Sequence, residues 1–227
     1  MKIIDLSLSL HEGMMTFPTH WHPVVEISIL GRHGIEGRET RKLVLGTHTG
    51  THTDAPLHFI PNGKSIDEVP LDVLVGEATV VNFAPAKPNQ EIGIPALKQV
   101  LEQVREQKQS AEVPRRMILR TDWSDYFGQM PYYNSYPYFS QDAAQWLVDG
   151  GCRLIAMDTP SPDNPAHSRG SGNDSPNHKV LLGAEVVLVE YLCNLRLLSK
   201  QVVELIVLPL KVKGADGSPT RCIAIER

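Results

Sequence analysis

At 227 residues, 41% of them hydrophobic and 21% charged, the chain has the make-up of an ordinary globular protein, and one domain over 1–227 is the expectation. A net charge of −4 with no basic run argues against nucleic acid as a partner, and no apolar stretch approaches the roughly 20 residues that span a membrane. The start, Met1-Lys2-Ile3-Ile4-Asp5, breaks its apolar run with charge and does not read as a signal peptide.

Taken in chain order, apolar runs with β-branched residues predict strands near 2–9, 24–30, 40–47, 77–83, 116–121, 152–158, 186–191, 203–210 and 220–226. Pro95 opens a helix that runs to Lys108 with Leu97, Val100, Leu101 and Val104 on one face. Ser140 caps a second, Gln141 to Asp149, which Gly150 and Gly151 stop. A third, short helix starts with Ser175 as cap and Pro176 at its first position, which puts His178 in the opening turn. Strands outnumber helices but alternate with them, so the class is α/β. Gly214 to Ser218 reads as a hairpin turn. Two stretches are read as irregular, Gly128 to Tyr138 and Thr159 to Asn177, and the second, between a strand end and His178, is expected on the substrate side. Cys152, Cys193 and Cys222 form no paired motif. They read as buried or incidental thiols of a reducing cytoplasm, not as nucleophiles.

Three of the nine histidines and an aspartate fall within eleven residues, His48 to His58. Imidazole and carboxylate grouped this way are the materials of a catalytic metal site. On a helix His48 and His52 would share a face but Asp54 would not. In extended backbone 48, 50, 52 and 54 share one face while Thr47, Thr49, Thr51 and Thr53 take the other, a period of two that favours strand. A flat strand would separate His48 from His52 by about 13 Å, near the limit for two imidazoles on one ion. A bend at Gly50 is therefore expected. Pro56 keeps Ala55 extended toward His58, for which the spacing leaves open a fourth ligand or a free imidazole beside the metal. The lone histidines His11, His20, His22, His33 and His167 read by default as surface or satisfied core residues. Glu190, inside the apolar run from Val186, needs an arginine, a metal or an outward-facing strand position, because a buried unpaired carboxylate is too costly.

The segment His48 to Phe59 resembles the signature of the cyclase family of metal-dependent hydrolases, which includes bacterial kynurenine formamidases and isatin hydrolases. Ile3 to Ser7, Leu119 to Trp123 and Ile155 to Thr159 resemble further landmarks, so the likeness covers nearly the whole chain. It implies the swivelling β/β/α fold, a mixed sheet flanked by helices with a small barrel-like portion. It implies metal ligation by His48, His52 and Asp54, with His178 and Glu190 completing one or two ions and Asp54 able to bridge. His58 matches the family's proton-transfer histidine. The implied reaction is hydrolysis of an amide-type C–N bond of a small molecule by a metal-activated hydroxide. N-formylkynurenine comes first as substrate, with another aryl amide, a cyclic imide or an isatin-like lactam as the alternative. Formamidases of the family usually carry Trp-Pro-Gly-Asp before the motif; here Phe17-Pro18-Thr19-His20 is followed by Trp21, so Phe17 and Trp21 become the aromatic substrate contacts. Imidazole with carboxylate suits zinc first and manganese next. The family resemblance also implies a homodimer or higher oligomer. Two other classes compete: a non-haem iron oxygenase with a facial triad of two histidines and a carboxylate, and a metal-dependent binding protein without catalysis.

Overall fold

The computed structural model describes residues 1–108, 113–167 and 173–227, with side chains of 105–108 excepted. Its strands are β1 (Lys2–Asp5), β2 (Glu26–Gly31), β3 (Thr40–Val44), β4 (His52–Asp54), β5 (Val75–Asn82), β6 (Glu91–Ile92), β7 (Arg116–Arg120), β8 (Tyr138–Phe139), β9 (Leu154–Met157), β10 (Val187–Glu190), β11 (Val202–Pro209) and β12 (Gly217–Glu226). Its helices are α1 (His33–Glu36), α2 (Leu71–Leu74), α3 (Ile94–Lys108), α4 (Met130–Asn134), α5 (Gln141–Asp149) and α6 (Pro176–Gly183).

Eight strands lie in the order β1-β12-β11-β5-β7-β9-β10-β4, and β4 pairs a second time with β12. That extra pairing closes the sheet into a barrel-like core. The ten residues of β12 make closure possible: its last four pair with β1, whereas Gly217 to Pro219 pair with β4. The run β5-β7-β9-β10 is parallel, and parallel neighbours need crossovers, here supplied by α3, α5 and α6.

Alternation along these strands sorts side chains into two cores. Ile118, Leu154, Ala156, Val187 and Val189 join the barrel interior with Leu205, Val207 and Ala224. Their neighbours Met117, Leu119, Ile155, Met157 and Leu188 pack beneath the helices, against Leu97, Leu101, Leu147, Leu181 and Leu182. Burial on both faces explains why these strands read as continuous apolar runs. Truncating Leu154 or Ile118 to alanine would remove about 2–5 kcal/mol of stability.

The predicted helices stand where expected, and Ser140 caps its helix by accepting the Ala143 N–H. Two readings need correction. Ser175 occupies the N-cap position of α6, but in left-handed backbone, and its hydroxyl donates to Asp174 instead of capping. The stretch Gly128 to Tyr138 is ordered into α4 and β8, because its tyrosines fill an apolar space: Tyr132, Tyr133 and Tyr136 bury with Trp123 and Tyr191. The turn expected at Gly214 widens to a connection over 210–216 between the antiparallel β11 and β12. Of the loop 159–177, residues 168–172 lie outside those described.

Candidate metal centre

Site residues are placed by register. His52 and Asp54 are two apart on β4, and Glu190, the last residue of β10, stands directly opposite His52. All three share the face of Leu188, the helix side of the sheet, so Glu190 is buried there at 4% exposure and not turned to solvent. His178 descends from the first turn of α6 onto the same point. Only residues 52 to 54 of the expected extended run are strand; His48 lies in the turn before it. The bend falls at Gly50, whose φ of 60° suits glycine, and a β-carbon there would meet the Leu10 side chain at 2.8 Å.

Hydrogen bonds fix which nitrogen of each ring faces inward. His52 Nδ1 donates to the Gly50 carbonyl at 2.8 Å and His178 Nδ1 to Asp163 Oδ2, so Nε2 of each is left pointing at the carboxylates. His52 Nε2 lies 3.2 Å from Asp54 Oδ1 and 3.5 Å from Glu190 Oε2. His178 Nε2 lies 3.5 Å from Asp54 Oδ2 and 3.3 Å from Glu190 Oε1. Ligands around a tetrahedral ion with bonds of 2.0–2.1 Å sit about 3.4 Å apart, so these spacings fit a cation between them. Asp54 Oδ2 and Glu190 Oε1 are buried without a hydrogen-bond partner, as expected of oxygens that await one. The residues present therefore fit a divalent ion.

Electrostatics point the same way. Burial, then the charge of Asp54, pushes the Glu190 carboxyl up. At Asp54 burial opposes ionisation, but the imidazoles of His48 and His58 hold its carboxyl well below the usual range. Without a cation the carboxylates draw protons onto the rings. His48 is lifted to about 10 by Asp54 and Asp216 against the cost of burial, and His178 is raised by Asp163, Asp54 and Glu190 against the same cost. His52, Asp54, His178 and Glu190 would exchange those protons for a cation on binding one.

His48 and His58 form an outer pair. His48 Nδ1 lies 2.7 Å from Asp54 Oδ1, and donor atoms of His48, Asp54 and His58 group within 4.8 Å. The rings of His48 and His58 stack with centroids 3.8 Å apart. Both also reach Asp216 Oδ2, at 2.8 Å from His48 Nε2 and 3.2 Å from His58 Nδ1. A cavity of about 490 Å³ opens above, lined by Phe17, Trp21, His22, Tyr136, Pro160, His167 and Tyr191 among others. Phe17 and Trp21 line this cavity, and so do described residues of the loop 159–177, Pro160, Ser161, Asp163, Pro165, His167, Asp174 and Ser175.

Sequence reading missed Asp163, Asp216 and His22. Asp163 sits among prolines and Asp216 in a Gly-rich turn, settings in which aspartate is ordinary. Yet Asp163 accepts the backbone N–H groups of Asn177 and His178, doing the capping that Ser175 does not. His22 reads from the sequence as a surface or satisfied core residue, but it faces the cavity, where burial and then the charges of His48, His52 and His58 lower it to about 4. The three cysteines are unpaired, and burial raises Cys152 to about 12 and Cys193 to about 11.

Residues 4–164 match the family model Cyclase, described as "Putative cyclase". The chain belongs to the Cyclase family. It is 30% identical over 220 residues to a kynurenine formamidase of Bacillus thuringiensis subsp. konkukian, covering 97% of this chain and 95% of that protein. To a kynurenine formamidase of Salinibacter ruber it is 34% identical over 184 residues, covering 80% and 77%. Among solved structures, isatin hydrolase A from Labrenzia aggregata, bound to benzyl benzoate, superposes with a TM-score of 0.83 at 26% identity, over 98% of this chain and 93% of that one. This cyclase-family hydrolase therefore shares its fold and most of its length with enzymes of named activity.

Proposed function

We propose that this cyclase-family hydrolase, one domain over 1–227, cleaves the amide-type C–N bond of an aryl formamide, with N-formylkynurenine as the first substrate to test. The observation that carries the reading is the pair of unpartnered buried oxygens, Asp54 Oδ2 and Glu190 Oε1, facing His178 Nε2 under an aromatic-walled cavity. His52, Asp54, His178 and Glu190, with His48 beside Asp54, hold zinc or manganese, ligand types that suit either. Bound there, a divalent cation supplies Lewis acidity and a water acidified to a pKa of about 7. Phe17 and Trp21 pack against the aryl ring and orient the scissile bond. His58 is the proton carrier: Nδ1 is taken by Asp216, and Nε2 remains to accept a proton from water and pass it to the departing nitrogen. Likeness to isatin hydrolase A supports a cyclic lactam as the second substrate class.

Exposed Ile29, Leu30, Ile35 and Leu43 on and beside the β2–β3 pair support a homodimer. Unpaired cysteines support a cytoplasmic setting. No helix among the described residues is long and apolar enough to cross a membrane.

Metal analysis of the purified protein, joined to formate release from N-formylkynurenine with and without added zinc or manganese, tests the reading. Metal with turnover is expected, with heavy oxygen from labelled water entering formate. Metal with turnover only of isatin shifts the substrate to the lactam, dioxygen consumption favours an oxygenase, and a chain that takes up no metal overturns the proposal.

A further inference from the structure

We propose that Asp216 is a positioning residue of the reaction: from the β11–β12 connection its carboxylate holds His58 with Nε2 turned to the cavity and locks His48 beside it. This rests on His58 as the proton carrier.

A carboxylate only accepts, so both nitrogens that reach Asp216 Oδ2 carry hydrogen: Nε2 of His48 and Nδ1 of His58. One oxygen thereby sets the tautomer of His58 and anchors His48, whose Nδ1 reaches the Asp54 carboxylate in turn. For His58 it selects the form whose Nε2 has a free lone pair, the form that can take a proton from water. Stacking of the two rings, 29° from parallel, means that His58 cannot tilt without moving His48.

The connection that carries Asp216 is itself pinned. Gly214 N–H donates to Asp67 Oδ1 at 2.9 Å, Ile66 N–H to the Ala215 carbonyl at 2.8 Å and Ala55 N–H to the Asp216 carbonyl at 2.9 Å. At Gly217 a β-carbon would stand 2.8 Å from the Thr53 carbonyl oxygen and 2.9 Å from His48 Cε1. Glycine lets the backbone close onto the ring, so the carboxylate is in place before substrate arrives. In the reaction the oxygen of water bonds to the carbonyl carbon, the C–N bond breaks, and the proton that water gave to His58 ends on the leaving nitrogen. Asp216 stays ionised throughout and steadies the imidazolium between those two transfers.

The test compares Asp216→Asn, His58→Ala and the double variant on aryl formamides whose rings carry increasingly electron-withdrawing groups. Expected for Asp216→Asn are unchanged metal content and a KM within about 3-fold, with kcat lowered about 10²–10³-fold for poor leaving groups and much less for good ones. His58→Ala should show the same grading, and the double variant should lose no more than His58→Ala alone. A flat loss across the series for Asp216→Asn, beside a graded loss for His58→Ala, overturns the role of Asp216 alone, as do additive losses or loss of metal from Asp216→Asn. A flat loss or none for His58→Ala breaks the assignment of His58 itself, and this proposal with it.

Discussion

The two histidine sets of the site are built differently. His52, Asp54, His178 and Glu190 hang from strands β4 and β10 and from helix α6, and each side chain is 8% exposed or less. His48, His58 and Asp216 hang from turns and a short 3₁₀ segment, with side chains 10%, 25% and 37% exposed. Ladder pairing holds His52, Asp54 and Glu190 of the first set in a spacing that fits an ion. Turns bring His48 and His58 of the second to the cavity, where the proposed proton exchange with substrate would take place. In the proposed function the sheet and α6 thus carry four of the five metal donors, and the connections carry the fifth, His48, together with the proposed proton carrier His58.

Breaking the inner set should cost most. Asp54→Asn removes the charge that faces both His52 and His178, and metal analysis after desalting should find the ion gone and turnover abolished. In the outer set, His58→Ala should keep the metal while the rate falls about 10²–10⁴-fold, as read by metal analysis beside steady-state kinetics. If it lost its metal as well, the division between the sets would fail. Asp163 tests how far the inner set depends on support: Asp163→Asn should weaken metal affinity about 10–100-fold in a chelator competition, because it loosens both the His178 ring and the start of α6. The smallest effect is expected at the rim, where Trp21→Ala should raise KM about 2–10-fold, the worth of one aromatic contact, with kcat and metal content unchanged.

Much of this arrangement was legible in the chain. Of the eight residues that the sequence singles out for the site, Phe17, Trp21, His48, His52, His58, His178 and Glu190 line one cavity, and Asp54 groups with His52 and Glu190 beside it. Period-two placement of His52 and Asp54, the bend at Gly50 and a carboxylate inside an apolar run are local signals, so they survive without knowledge of the fold. Asp163 and Asp216 carry no such signal. Each is an aspartate in a loop, 15 residues from His178 in one case and 158 from His58 in the other, and what it supports is set by where the connections end.

By itself the sequence determined the α/β alternation, because strands buried on both faces and capped helices must write themselves as apolar runs and periodic stretches. It also marked imidazole and carboxylate as the materials of a candidate metal site. Tertiary structure alone decided that β4 would pair with both β10 and β12 and so close the barrel, and that Gly128 to Tyr138 would order around buried tyrosines. It decided too which two aspartates would fix the histidine tautomers. These outcomes depend on pairings between residues far apart in the chain, and a hydrogen bond across 158 residues leaves no period for a sequence to display.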